Sequence, residues 1–156
     1  MNPSLRKTQK ALDALLRGLP DELAGLYRAA DCEELLRQLT ETPDPAPAWL
    51  AAKARSLRLK SHLLQTALAE LEKRLSAAAE AYRTEGGTDP LRTAHAEADL
   101  ALLRTRQAEL ALQRETAGQL VRAAELAAQQ EQTAALLCSP LLQKLRKPSS
   151  EGTDLT

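Results

Sequence analysis

The side chains best suited to chemistry in this 156-residue sequence are two histidines, His62 and His95, and two cysteines, Cys32 and Cys138. A zinc site draws three or four His, Cys or carboxylate donors together at short spacings, and neither histidine has a cysteine or second histidine near enough in sequence to complete one. Nucleophilic catalysis needs a nucleophile against a base and the base against an orienting group. No Gly-x-Ser-x-Gly, papain-type or Walker-type sequence is present to supply them. Two lone cysteines give no disulfide framework and read as small apolar residues of helix faces. Carboxylates are plentiful, but among leucine and alanine they form the solvated face of helices. The expectation is a protein that is not an enzyme and that uses no cofactor and no metal.

Other residues speak of recognition. Leu12-Asp13-Ala14-Leu15-Leu16 has the i, i+3, i+4 spacing of a groove-binding helix. Leucine makes up 32 of the 156 residues, so the same string also serves as an ordinary bundle face. Three basic groups, Arg6/Lys7/Lys10, Arg55/Arg58/Lys60 and Lys144/Arg146/Lys147, could touch an acidic polymer such as a microtubule wall or nucleic acid. The last has the fewest acidic neighbours. The whole chain balances 21 basic against 21 acidic residues, which argues against a general nucleic-acid binder. Apolar runs are only a few residues long, too short to span a membrane, and the first residues lack the apolar stretch of a secretory leader.

The elements that must carry these residues are helices. Leucine (32) and alanine (29) supply nearly all the apolar content, with one valine, no isoleucine and no phenylalanine. Strands depend on β-branched and aromatic residues, whereas Leu, Ala, Arg, Glu, Gln and Lys are the strong helix formers. The fold class expected is all-α: an elongated coiled-coil helical hairpin or bundle with short N-terminal helices. Its centre is a row at four-three spacing, Leu50, Ala54, Leu57, Ser61, Leu64, Leu68, Leu71, Leu75, Ala78 and Tyr82. A 3.5-residue repeat keeps one stripe facing a neighbouring helix. Ser61, its one polar member, reads as a register mark.

Four helices and two connections follow. Ser4 caps a first helix that Gly18 and Pro20 end near Leu19. Asp21 and Glu22 open a second, running to about Leu39. Residues 1–42 thus hold the N-terminal helices, and the proline-rich 43–47 is a semi-rigid linker. Residues 48–138 form a long antiparallel hairpin, in which Gly86-Gly87 end the third helix and Asp89-Pro90 begin the fourth. Glu70 and Arg74 lie four apart in the favourable order. On the fourth helix Leu100, Leu103, Leu110 and Val121 favour one side, and Leu91, Leu102, Leu112 and Leu120 another. A helix apolar on two sides is covered on two sides, here by the third helix and by either a partner chain or the first two helices. Residues 139–156 read as a short basic segment and a disordered tail. The partner-binding seam expected is Leu50, Leu57, Leu64, Leu68, Leu71 and Leu75 with Leu103, Leu110 and Val121.

One family shares this pattern. Leu26-Tyr27, Glu34-Leu35-Leu36, the run Pro47-Ala48-Trp49-Leu50-Ala51-Ala52-Lys53, then Leu57 and His62-Leu63 resemble the central region of subunit 2 of the augmin (HAUS) complex. Asp89-Pro90-Leu91, His95 and Leu102-Leu103 are similar to the helix that follows in that family, so the likeness spans residues 21–137. It implies a non-enzymatic subunit of a hetero-oligomer of coiled-coil proteins that brings the γ-tubulin ring complex to microtubules. Such a subunit would work in the cytoplasm on spindle and centrosome, during cell division. A second and lesser likeness, around Tyr27, Trp49 and Ala77 to Tyr82, is to the helical hairpin of the mitochondrial Smac/Diablo protein, though no Ala-x-Pro N-terminus accompanies it. The competing expectation is a self-contained helical adaptor that recognises a partner helix, in apoptosis or vesicle traffic.

Overall fold

The computed structural model describes residues 2–137 and is all-α. Cys138, the basic group Lys144/Arg146/Lys147 and the whole 139–156 segment lie outside the described residues. Four helices follow in order: α1 (Pro3–Ala30), α2 (Cys32–Glu41), α3 (Pro47–Thr84) and α4 (Pro90–Leu137).

α1 departs most from expectation. It is one helix of 28 residues rather than a short one, and it runs straight through Gly18 and Pro20. Its cap is Asn2, not Ser4: the Asn2 side chain accepts hydrogen bonds from the amides of Ser4 and Leu5, and Pro3 takes the first helical position, where its missing N–H costs nothing. Proline at position 20 forfeits one hydrogen bond to the Leu16 carbonyl. Leu12, Leu16 and Leu19 before it are buried, and Leu23, Leu26 and Tyr27 after it pack against the same core. Burying each large side chain is worth about 1.5–3 kcal/mol, so the face outweighs the broken rung.

The break falls instead at Asp31, whose backbone is left-handed at φ 58°. Its N–H bonds the Tyr27 carbonyl to close α1, and α2 restarts one residue later. A short polar side chain tolerates that conformation better than most. Beyond α2 the chain is non-helical over 42–46, and α3 begins at Pro47, one residue earlier than expected and with proline again at the first turn.

The turn between α3 and α4 matches the expectation built on its glycines. Gly86 takes φ 94°, and Gly87 lies so close to the Tyr82 ring that a Cβ there would meet it at 2.3 Å. The Tyr82 hydroxyl accepts the Asp89 N–H at 3.0 Å, and the Asp89 carboxylate accepts the Leu91 N–H at 3.0 Å. One aromatic side chain thus ties the end of α3 to the start of α4.

α4 returns along α3. The contacts Glu72 to Arg104, Ser61 to Gln113 and Arg55 to Glu125 fall on steadily earlier α3 and later α4 residues, so the two helices are antiparallel. α1 and α2 fold back onto this pair. Asp13 meets Arg92 near the turn, Glu22 meets Arg74 further along, and Cys32 meets Ser61 midway down α3. Arg74 therefore serves α1 rather than the Glu70 four residues before it.

Candidate partner-binding surface

The four-three row of α3 is spent inside the chain. Leu57, Leu64, Leu68, Leu71 and Leu75 are buried, as are Ala54, Ser61 and Tyr82, while Leu50 is half-buried. From α4 the matching residues are Ala96, Leu100, Leu103, Leu110, Ala117, Val121 and Ala124, all buried and spaced by four, three or seven. Every residue of the seam expected to bind a partner thus faces the chain's own helices, Leu50 the least completely. Leu12 and Leu16 of the Leu-x-x-Leu-Leu string are buried too, so that string is not displayed as a ligand.

What remains open is the back of α4. Leu91, Ala94, Ala98, Ala101, Thr105, Ala108 and Leu112 repeat at three-four spacing, and all seven are exposed. Leu91 is 81% exposed and Leu112 65%. Leu126, 56% exposed, falls two heptads beyond Leu112. α1 meets α4 on the flank that carries Arg92, which Asp13 holds, not on this back. On α3, Leu59 and Leu63 are a second exposed pair, one turn apart. The two-sided character of α4 is real, and among the described residues its outer side has no cover.

Several charged groups around the bundle pair with one another. Arg92 grips Asp13 with two nitrogens at 2.7 and 3.1 Å, holds Asp89 at 2.9 Å and lies 5.5 Å from the centre of the Tyr82 ring. Glu72 accepts from Arg104 and Gln107, each at 2.7 Å, and the Arg104 hydrogen bond, ahead of the Gln107 one, holds its carboxyl below the usual range. Glu34 is likewise lowered, first by the hydrogen bond from Arg37. Burial pushes the Cys32 thiol up and outweighs the opposing effect of the nearby Ser61 hydroxyl, so this cysteine is kept in its unreactive form.

His62 and His95 stay apart, as expected from their separate helices. His62 Nδ1 lies 2.8 Å from an Arg114 nitrogen, and His95 reaches Asp99 on its own helix at 3.4 Å. Among the described residues no three His, Cys, Asp or Glu side chains gather as a metal site would need, and no helix is long and apolar enough to cross a membrane. The basic group Arg55/Arg58/Lys60 is divided by the fold. Arg55 pairs with Glu125, Lys60 sits half-buried on the α2 side, and Arg58 turns to a cleft shared with Arg114 and Arg122. Sequence reading missed that cleft, because Arg58 meets the other two only through the α3–α4 register. The one hint was the eight-residue spacing of Arg114 and Arg122, which places them near one side of α4.

No protein-family model matches this chain, and neither a curated protein nor a solved structure matches it.

Proposed function

We propose that this chain is a non-enzymatic coiled-coil subunit of a multiprotein complex, augmin-like, that supports microtubule-dependent microtubule nucleation and spindle assembly in the cytoplasm. In this reading α3 and α4 are an antiparallel coiled-coil hairpin. The observation that carries it is the exposed row from Leu91 to Leu112 on the back of α4. Its heptad-like period is the one a further helix needs for pairing. The augmin-specific part rests on the resemblance in spacing across residues 21–137.

The experiment is affinity purification of the tagged chain from dividing cells, read by mass spectrometry, beside a Leu91→Asp/Leu112→Asp variant. Recovery of augmin subunits and γ-tubulin with the parent chain, and their loss with the variant, is the expected result. Retention of the same partners by the variant would overturn the role of this face; recovery of none would overturn the augmin assignment. Changes at Leu64 or Leu71 are unsuited to the purpose, because those residues are buried within the chain.

A second reading, the self-contained helical adaptor, is favoured by a specific observation: the main seam is closed internally. The chain expressed alone separates the two. A cooperatively melting monomer supports the adaptor; a poorly folded chain rescued by partners supports the subunit.

A further inference from the structure

Arg58, Arg114 and Arg122 line an open cleft of about 500 Å³ with Ala111, Leu112 and Gly118 on its floor. Gly118 is the key to its shape. A Cβ placed there would lie 3.7 Å from an Arg122 terminal nitrogen and 3.9 Å from Arg58 Nε. Two guanidiniums therefore lean over the same small patch of backbone, one from each helix. Like charges so close repel unless an anion lies between them. Among the described residues none of the three arginines pairs with a carboxylate, whereas Arg55, three residues from Arg58, holds Glu125 at 2.7 Å. Glu115 also lines the cleft, leaving two net positive charges.

Arg114 is pre-oriented. Its terminal nitrogen donates to His62 Nδ1 at 2.8 Å, which fixes one edge of the guanidinium and leaves its other N–H groups free. Arg114 and Arg122 lie eight residues apart, about 12 Å along the helix. That spread exceeds one phosphate group and suits a row of carboxylates. Leu112 and Ala111 add an apolar floor that a bare ion would not use.

We infer that this cleft is a docking site for an acidic segment of a partner protein, whose carboxylates pair with Arg58, Arg122 and Arg114 while an apolar residue rests on Leu112. The inference does not depend on the augmin assignment.

Fluorescence anisotropy on the full chain tests it, with two labelled helix-forming peptides: one with Glu pairs at i, i+4 between leucines, the other with every Glu replaced by Gln. The Glu peptide should bind, weaken as salt rises, and bind at least about tenfold more tightly than the Gln peptide. Arg58→Ala/Arg122→Ala should lose about tenfold, while Lys73→Ala, a change of exposed charge elsewhere on α3, should leave binding intact. Gly118→Glu should abolish binding with unaltered helicity, because it sets a carboxylate of the chain's own between the two arginines. Equal binding of both peptides, unchanged binding in the double variant, or complete competition by inorganic phosphate at equal charge would each overturn the proposal.

Discussion

Cys32 Sγ lies 3.9 Å from Ser61 Oγ, and Ser61 in turn donates to Gln113 Oε1 at 3.1 Å. The serine has one proton and gives it to the amide oxygen, so the cysteine thiol is the donor to Ser61. This short relay joins α2, α3 and α4 at a position where Ser61 is wholly buried. A hydroxyl there finds partners only in this one alignment of the helices, and a slip of the hairpin would leave it unpaired.

Ser61→Ala is therefore expected to cost about 1 kcal/mol, the worth of a buried hydrogen bond with its orphaned partner. Urea denaturation followed by circular dichroism would read it. Combined with Gln113→Ala, the loss should be smaller than the sum of the two single changes, because each removes the same bond. Additive losses would show that Ser61 and Gln113 do not act together.

Pro20 sits exposed in the interior of α1 and withholds one backbone hydrogen bond. Restoring the N–H with Pro20→Ala should stabilise the chain by about 1–3 kcal/mol, read as a higher urea midpoint. A lower midpoint would mean that the proline sets a bend that Leu16 and Leu23 need to reach the core on either side of it.

Arg92 is the most heavily engaged cation, with a two-pronged grip on Asp13, a bond to Asp89 and a place over the Tyr82 ring. Its side chain is only 18% exposed, so solvent screens it less than the other pairs. Arg92→Ala should cost about 2 kcal/mol. Arg92→Lys should recover little of it, since an ammonium cannot span both Asp13 oxygens. Thermal melts of the two variants check both statements.

The pH response follows from Glu72. Its folded carboxyl titrates below the usual range because Arg104, and then Gln107, bond the ionised form. The unfolded state binds its proton first as pH falls, at about pH 4.3, so the contribution is present above that value and disappears as pH drops through the folded value. Stability should fall between pH 6 and pH 3, and Glu72→Gln should fall less. Urea midpoints at both pH values for both chains give the comparison; equal falls would contradict the assignment.

Composition was enough to determine the all-α class, because a chain of leucine and alanine with almost no β-branched or aromatic residue cannot build a sheet. Spacing along α3 marked its buried face, since a helix turns at a fixed angle and a four-three row must lie on one side. Gly86-Gly87 and Asp89-Pro90 marked the turn for equally local reasons: one needs φ above zero, the other supplies a cap and a first helical residue. Pro20 was misread because the local signal there is overruled at a distance. The proline is carried through by leucines that pack on α3, and the break goes to Asp31, whose short polar side chain tolerates the left-handed backbone. The hairpin turn offered the α3 seam a partner in α4, but whether the first two helices or another chain covers what remains was outside the reach of a linear pattern. Periodicity shows that a face is apolar, not what covers it. Only the return of α4 and of α1 onto α3 closed that seam, exposed the back of α4 and drew Arg58, Arg114 and Arg122 into one cleft. Those outcomes depend on the register between helices, which is fixed by contacts such as Ser61 to Gln113 across 52 residues of sequence.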